Sequence, residues 1–465
     1  MNNMIIQIME NRDKRVLHQK ELCDIYHLPL ISFTLNIAGN IKKNKLFDIL
    51  FNLGCKEIEL ALISNQIKLK EILLQDSGNT AFYVYNLSAE FIKRAMIEIE
   101  DFNDLSRLFD IDVIDNETYT PLSRTQFGNP PRSCLICRDV PYLICRRNNT
   151  HSFGEIIHKT KEISNKSFSR ILSNIARFSL ECELSTSPKP GLVDRLNNGS
   201  HTDMNYPLFL KSIESITPFL ELEYMVCFDN LNKNELFKKM KSIGLEGERT
   251  MLESTNGINT HKGAFFSLST IGCAISYSIS NEDNISIDNI KQFSKEFGEW
   301  ARLNNDTNIS HGDNIRKNIG NYGIYDETIS GYLSVFSKCY KYLSLFREDK
   351  QLNVFFTKLI SNYEFDENIF NEKIEPLSLR IMCTLLSSAK DSNIIYRGGL
   401  KALLAINNKF SEIDSYNYCD KELKEILINE DIDFVKNNLS PGGVADLLTL
   451  VIFTMTLVSL DIIKL

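Results

Sequence analysis

Two aspartates one residue apart, Asp110 and Asp112, stand in the run Arg107-Leu-Phe-Asp-Ile-Asp-Val-Ile114. In a strand, alternate side chains share a face, so this pair lies side by side while Phe109, Ile111 and Val113 face a core. Adjacent carboxylates hold a divalent cation such as Mg2+, which neutralises phosphates in nucleotidyl-type transfer. The segment by itself is more simply read as two solvent-facing aspartates on a half-buried strand. Asn36-Ile-Ala-Gly-Asn-Ile-Lys42 offers a glycine turn with Lys42 as a phosphate contact, or an ordinary strand exit. Arg124 and Arg132 flank a Gly-Asn-Pro-Pro loop and have the fork geometry that clamps phosphate. Cys134-Leu-Ile-Cys137, Cys145 and His151 have the residue types of a zinc site, at tighter spacing than a usual finger; buried thiols fit equally well.

The second part of the chain carries four clusters in which glycine or proline accompanies an acid or a base. The first joins Ser187-Pro-Lys-Pro-Gly-Leu-Val-Asp194, a rigid turn ending in a carboxylate, to Gly199-Ser-His-Thr-Asp203 within one loop. Lys189, Asp194, His201 and Asp203 are therefore near enough in sequence to converge on a nucleoside triphosphate and its metal. Asn256-Gly-Ile-Asn-Thr-His-Lys-Gly263 presents His261 and Lys262 as cationic groups before an apolar run, at a helix N-terminus, where anions are favoured. Asp391-Ser-Asn-Ile-Ile-Tyr-Arg-Gly-Gly399 contributes Asp391 and Arg397. Ser440-Pro-Gly-Gly-Val-Ala-Asp446 reads as a helix start, with Ser440, Gly442 and Gly443 offering backbone N–H groups to phosphate and Asp446 in the first turns. Each cluster alone also has a loop or helix-cap explanation.

These residues need two kinds of scaffold. Strand-like runs at Leu30–Asn36, Glu57–Ile63, Ala81–Tyr85 and Phe109–Ile114 alternate with helical patterns at Lys45–Leu53 and Ser88–Glu100, which predicts an α/β or α+β domain over residues 1–155. The polar stretch 156–165 reads as a linker, and 166–465 as an all-α domain of long amphipathic helices. A length of 465 residues suits two domains, and 43% apolar with 24% charged residues is globular. A net charge of −8 provides no basic field for nucleic acid. The isolated Cys182, Cys227, Cys273 and Cys383 read as buried thiols of a reducing, cytoplasmic compartment. The N-terminal ten residues lack the features of a signal peptide. The uncharged Leu447–Leu460 is too short to span a bilayer and reads as a core helix, so no membrane partner is expected.

Over residues 10 to 155 the chain resembles the holo-citrate lyase synthases, the phosphoribosyl-dephospho-coenzyme A transferases. The match rests on Asn36-Ile-x-Gly-x-x-Lys42, Arg107-Leu-Phe-Asp-Ile-Asp-Val113, Ser123-Arg124, Arg132-x-Cys-Leu-x-Cys137, Cys145-x-Arg147 and His151. Ala38, Asn40 and Ser106 depart from the family pattern. The resemblance implies a nucleotidyltransferase-like domain that moves a prosthetic group onto a serine of the citrate lyase acyl carrier (gamma) subunit and releases pyrophosphate. Asp110 and Asp112 would hold Mg2+, with Lys42, Arg124 and Arg132 on phosphates.

From about 170 to 460 the four clusters, with Glu183 and Glu248, resemble the triphosphoribosyl-dephospho-coenzyme A synthases. Where that family has arginine-glycine-glutamate, this chain has Tyr325-Asp326-Glu327, and Asp391-Ser392-Asn393 replaces its aspartate-threonine-asparagine. The implied reaction joins ATP to 3'-dephospho-coenzyme A with loss of adenine. Carboxylates must take a proton from the nucleophile and stabilise a cationic sugar. Glu183 or Glu248 is expected as the base, Asp194, Asp203, Asp391 and Asp446 as Mg2+ ligands, and Lys189, His201, His261, Lys262 and Arg397 on phosphates. Two rivals remain at this level: the equivalent machinery of malonate decarboxylase, and a non-catalytic assembly factor whose zinc knuckle docks carrier proteins.

Overall fold

A computed structural model describes residues 2–62, 64–283, 285–304 and 323–465, with side chains from residue 9 onward except residue 64. The chain divides into two compact units, Met1–Phe168 and Ser169–Leu465.

The first unit is α+β. Its four strands, β1 (Leu30–Leu35), β2 (Ile67–Leu73), β3 (Thr80–Tyr85) and β4 (Phe109–Ile114), form an antiparallel sheet in the order β2-β3-β1-β4. Interior β3 is buried along its whole length, whereas edge β2 alternates, as expected for covered and half-covered strands. Two of the expected helices are present as α2 (Lys45–Ala61), capped by Asn44, and α3 (Ala89–Phe102), capped by Ser88. Their amphipathic faces cover one side of the sheet. Phe33 stacks on Phe51 of α2 at 5.1 Å and meets Phe109 edge-on at 5.3 Å.

The other side of the sheet meets α1 (Asn2–Tyr26), whose Leu22 and Cys23 pack on Leu30, Phe82, Val84 and Ile114. Neither α1 nor β2 is foreseen in the sequence reading. The run Glu57–Ala61, read as strand, is helical, because Leu50, Leu53 and Ile58 bury along one α2 face and extend the preceding helix through it. Ile63 lies outside the described residues.

Residues 156–165, read as a linker, lie inside α5 (Phe153–Ser185). Thr160, Ile163, Ser164 and Phe168 are buried at helical spacing, so the polarity there belongs to the outer face of a helix. The short helix α4 (Tyr142–Arg147) precedes it.

The second unit is helical throughout its described residues. α6 (Tyr206–Val226), α7 (Lys233–Ser254), α8 (Lys262–Ser280) and α9 (Ile287–Leu303) are followed by Ile324–Ile329, Glu375–Leu386, Ser392–Ser415, Asp420–Lys436 and Gly442–Ser459 among others. α8 and Gly442–Ser459 pack on each other. Both are long and apolar enough to span a membrane by composition, and both are 78% buried inside the protein, as core helices are.

Candidate functional site

The first candidate site lies on the α1 side of the sheet. Register places Asp110 opposite Thr34 and Asp112 opposite Ser32, so two carboxylates and two hydroxyls share one face. Phe109, Ile111 and Val113 are buried on the other, as strand alternation requires. Burial and then the neighbouring Asp110 raise the Asp112 carboxyl above its ordinary range. Arg15 of α1 feels both aspartates, and Lys93 of α3, 5% exposed, feels Asp112. Neither cation was foreseen. Arg15 stands on the helix that sequence reading missed, and Lys93 reads as one more charge on an amphipathic helix.

The expected phosphate-binding cations of this unit are already engaged. Arg132 donates from Nη1 to the Phe109 carbonyl at 2.6 Å and from Nη2 to the Arg107 carbonyl at 2.8 Å, and it pairs with the buried Glu100 at 3.3 Å. Glu100 in turn accepts from the Ile111 N–H at 3.2 Å. Arg132 is thus a brace on the aspartate strand. Arg124 pairs with Asp101, and the Lys42 ammonium donates to the Ile37 carbonyl within its own loop. Cys134, Cys137, Cys145 and His151 converge: their ligand atoms all lie within 4.8 Å of one another, the one such His/Cys/Asp/Glu group among the described residues.

The second candidate site is a cavity of 1210 Å³ in the helical unit. Glu183, at the end of α5, forms a buried ion pair with Lys189. Asp446 borders the cavity; burial, then the Glu183 and Asp391 carboxylates, push it well above the carboxylate range. It accepts from the Ala264 N–H at the start of α8. This approach requires Gly263, since a Cβ there would stand 2.0 Å from the Asp446 Oδ2.

Asp391 caps the helix Ser392–Ser415 through the N–H groups of Asn393 and Ile394 at 2.8 and 3.1 Å. Its other oxygen accepts from Val444 at 3.0 Å, at the start of Gly442–Ser459. One carboxylate therefore joins two helix N-termini. A Cβ at Gly443 would lie 2.9 Å from that oxygen, and one at Gly442 would lie 2.6 Å from Asn393 Nδ2. His201 Nε2 and Ser440 Oγ are 2.8 Å apart, with Arg397 Nη2 3.5 Å from His201 Nδ1. Glu248 pairs with Lys262 across the same cavity.

Three expectations need correction. Asp194 does not line the cavity: it accepts from the N–H groups of Lys189, Leu196 and Asn197 at 2.9, 2.7 and 3.1 Å and closes its own turn. Asp203 is exposed, does not line the cavity and meets His201 at 3.8 Å. His261 was read as cationic, but burial, helped by Lys189, pushes its imidazole down to about 3, so the ring is neutral at physiological pH.

Other groups of the helical unit escaped sequence reading. Glu223 of α6 is 1% exposed and borders the cavity; burial pushes its carboxyl up to about 8, and its Oε2 is without a hydrogen-bond partner. The sequence shows it only as an acid within an apolar helix. Phe266, Phe297, Trp300 and Tyr325 form an aromatic wall, with Phe266 and Phe297 stacked at 5.6 Å. Asp431 accepts from the Gly191 N–H and from Asn197 Nδ2, both at 2.8 Å, and so seats the Pro-Lys-Pro-Gly turn. Gly191, at φ +70°, brings the turn so close to the Leu439 carbonyl that a Cβ would sit 2.2 Å from it.

The chain thus holds an α+β unit with a paired-carboxylate strand, followed by a helical unit whose acids and bases border a large cavity. Residues 3–167 match the family described as apo-citrate lyase phosphoribosyl-dephospho-CoA transferase, and residues 169–462 match ATP:dephospho-CoA triphosphoribosyl transferase. The chain is 30% identical to a Haemophilus influenzae protein named CitXG, covering 97% of this chain and 95% of that one. A Leuconostoc mesenteroides CitXG is 29% identical over 98% and 97% of the two chains. A Streptococcus mutans protein named as a probable triphosphoribosyl-dephosphocoenzyme-A synthase is 29% identical, over 61% of this chain and 94% of its own length. The chain belongs to the ATP:dephospho-CoA triphosphoribosyl transferase family, fused to an apo-citrate lyase phosphoribosyl-dephospho-CoA transferase. It is a bifunctional transferase that builds and attaches the citrate lyase prosthetic group.

Proposed function

We propose that the helical cavity joins ATP to 3'-dephospho-coenzyme A, and that the carboxylate face of β4 transfers the product to a serine of the citrate lyase acyl carrier subunit. The observation that supports this most is the gathering of Glu183, Lys189, Glu248, Lys262, Asp391 and Asp446 around one cavity. At 1210 Å³ it exceeds the roughly 300–1,000 Å³ of single-ligand pockets, as two nucleotide substrates require.

In the first reaction the ribose hydroxyl of dephospho-coenzyme A attacks the anomeric carbon of ATP, adenine leaves, and the triphosphate stays on the sugar. Glu248 takes the hydroxyl proton: it borders the cavity with a side chain 24% exposed, against 5% for Glu183, which Lys189 holds in place. The aromatic wall of Phe266, Phe297, Trp300 and Tyr325 supports the departing base. Lys262, Arg397 and the His201–Ser440 pair bind phosphate oxygens from the helix-start side. Asp446 and Glu183 are the carboxylates that fit Mg2+, because the buried Asp446 is crowded by the like charges of Glu183 and Asp391, which a cation relieves. When bound, the ion neutralises triphosphate charge.

In the second reaction, on a nucleotidyltransferase-like unit, the carrier serine attacks the phosphorus that becomes the new phosphodiester, and pyrophosphate departs. Asp110 and Asp112 fit Mg2+ for the same reason of crowded like charge, while Arg15 and Lys93 lie where phosphate charge would be met. We place both reactions in the cytoplasm, consistent with eleven free cysteines, most of them buried. The test is adenine release from ATP by the purified chain. It should require dephospho-coenzyme A and yield a product that labels apo-carrier protein; adenine release without that acceptor, or none at all, would refute the assignment.

A further inference from the structure

Between residues 115 and 151 the buried positions are Cys134 and Cys145. A stretch of that length without an apolar core of its own needs a staple to hold one shape. We propose that Cys134, Cys137, Cys145 and His151 bind one zinc ion, and that this ion locks residues 132–151 onto the strand carrying Asp110 and Asp112.

The geometry matches tetrahedral coordination. With Zn–S bonds of about 2.3 Å, two thiolates on one zinc stand about 3.8 Å apart; the Cys137 and Cys145 sulfurs are 3.8 Å apart. The corresponding sulfur–nitrogen edge is about 3.6 Å. Cys137 Sγ and His151 Nε2 are 2.8 Å apart, so the imidazole moves outward by about 0.8 Å to admit the ion.

The backbone closes around the first sulfur. Ile136 N–H lies 3.4 Å from Cys134 Sγ, and the Cys137 N–H also donates to that sulfur. Arg138, at φ +64°, then closes the turn, with its N–H donating to the Cys134 carbonyl at 3.1 Å. Three sulfurs and an imidazole select zinc over a hard cation such as Mg2+, and a set of four protein ligands leaves no open position. The ion is therefore structural.

Its consequence follows from what the loop holds. Arg107 Nη2 donates to the Cys134 carbonyl at 2.7 Å and to Ser133 Oγ at 3.2 Å. Arg132, whose carbonyl accepts from Tyr142 N–H at 2.9 Å, grips the carbonyls of Arg107 and Phe109. Releasing the loop thus frees the start of β4. This second step rests on the transfer reaction assigned above to β4, whereas the metal site itself does not.

The test uses the full chain, purified without a polyhistidine tag, with elemental analysis and a titration of free thiols. One zinc per chain is expected, falling at least tenfold in Cys137→Ser and in His151→Ala. Cobalt-substituted protein should show thiolate-to-cobalt charge transfer that Cys137→Ser weakens. In the zinc-free variants carrier labelling should fall at least tenfold, while adenine release stays within twofold. A metal-free chain with these thiols free or paired as disulfide, iron in place of zinc, or full zinc in both variants would overturn the site. Zinc loss with unchanged carrier labelling would overturn its locking role and leave the reaction assignment standing.

Discussion

Replacing Glu223 with glutamine turns one buried group into a measurement of the whole helical unit. A glutamate carboxyl ordinarily ionises at 4.5, and in the folded protein burial pushes Glu223 up to about 8. Between those values the native chain holds a proton that the unfolded chain has released. The slope of unfolding free energy against pH is therefore negative, and stability falls as pH rises from about 4.5 to about 8, then levels. A shift of roughly 3.5 units at about 1.4 kcal/mol each corresponds to about 5 kcal/mol across the window. Glu223→Gln keeps the shape and cannot ionise, so this slope disappears. The amide leaves a donor beside an oxygen site that has no partner, at a pH-independent cost of about 1–3 kcal/mol. The variant should thus be no more stable than the wild type at pH 5 and clearly more stable at pH 8. Urea titrations at several pH values, followed by fluorescence, read this directly, because Trp300, the chain's single tryptophan, lies in the same unit. Parallel stability curves for the two proteins would show that the carboxyl ionises normally, and the reasoning from burial would fail.

Asp446→Asn should lower adenine release at least a hundredfold, with the melting temperature unchanged or raised, since it removes a charge crowded by Glu183 and Asp391. Near-wild-type turnover would make Asp446 a helix-packing residue only. Asp110→Asn should leave adenine release intact while the triphosphoribosyl product accumulates and the carrier stays unlabelled, as mass spectrometry of both products would report. Loss of both activities would mean that the two units are functionally coupled. Gly263→Ala should cut adenine release as severely as Asp446→Asn, because the added methyl would occupy the space of the Asp446 carboxylate; normal activity would show that α8 and its neighbour part easily.

Local patterning decided a good deal. The period of two in Phe109-Asp-Ile-Asp-Val put both aspartates on one face, and that holds because strand alternation is a property of the backbone alone. Apolar spacing likewise marked α3 and the buried helix after Ser440. The motifs of the second half were legible as clusters of chemistry-bearing residues, yet the roles within them were not. Asp194 and Asp391 look alike in sequence as acids beside turns. The first closes its own loop, whereas the second caps two helices that meet across 53 residues of chain. His261 reads as a cation until burial makes it neutral, and Lys189 reads as a free phosphate ligand until Glu183 pairs with it. Arg15, Lys93, Glu223 and Asp431 carry no local mark, because their importance comes from what packs around them.

The sequence by itself therefore determined which residue types recur, which faces they share within one element, and the order of the two transferase units. Only the tertiary structure decided which carboxylates crowd together, which cations are already paired and which groups lose water. Those are set by distances between elements far apart in the chain, and charge, hydrogen bonding and desolvation all depend on such distances.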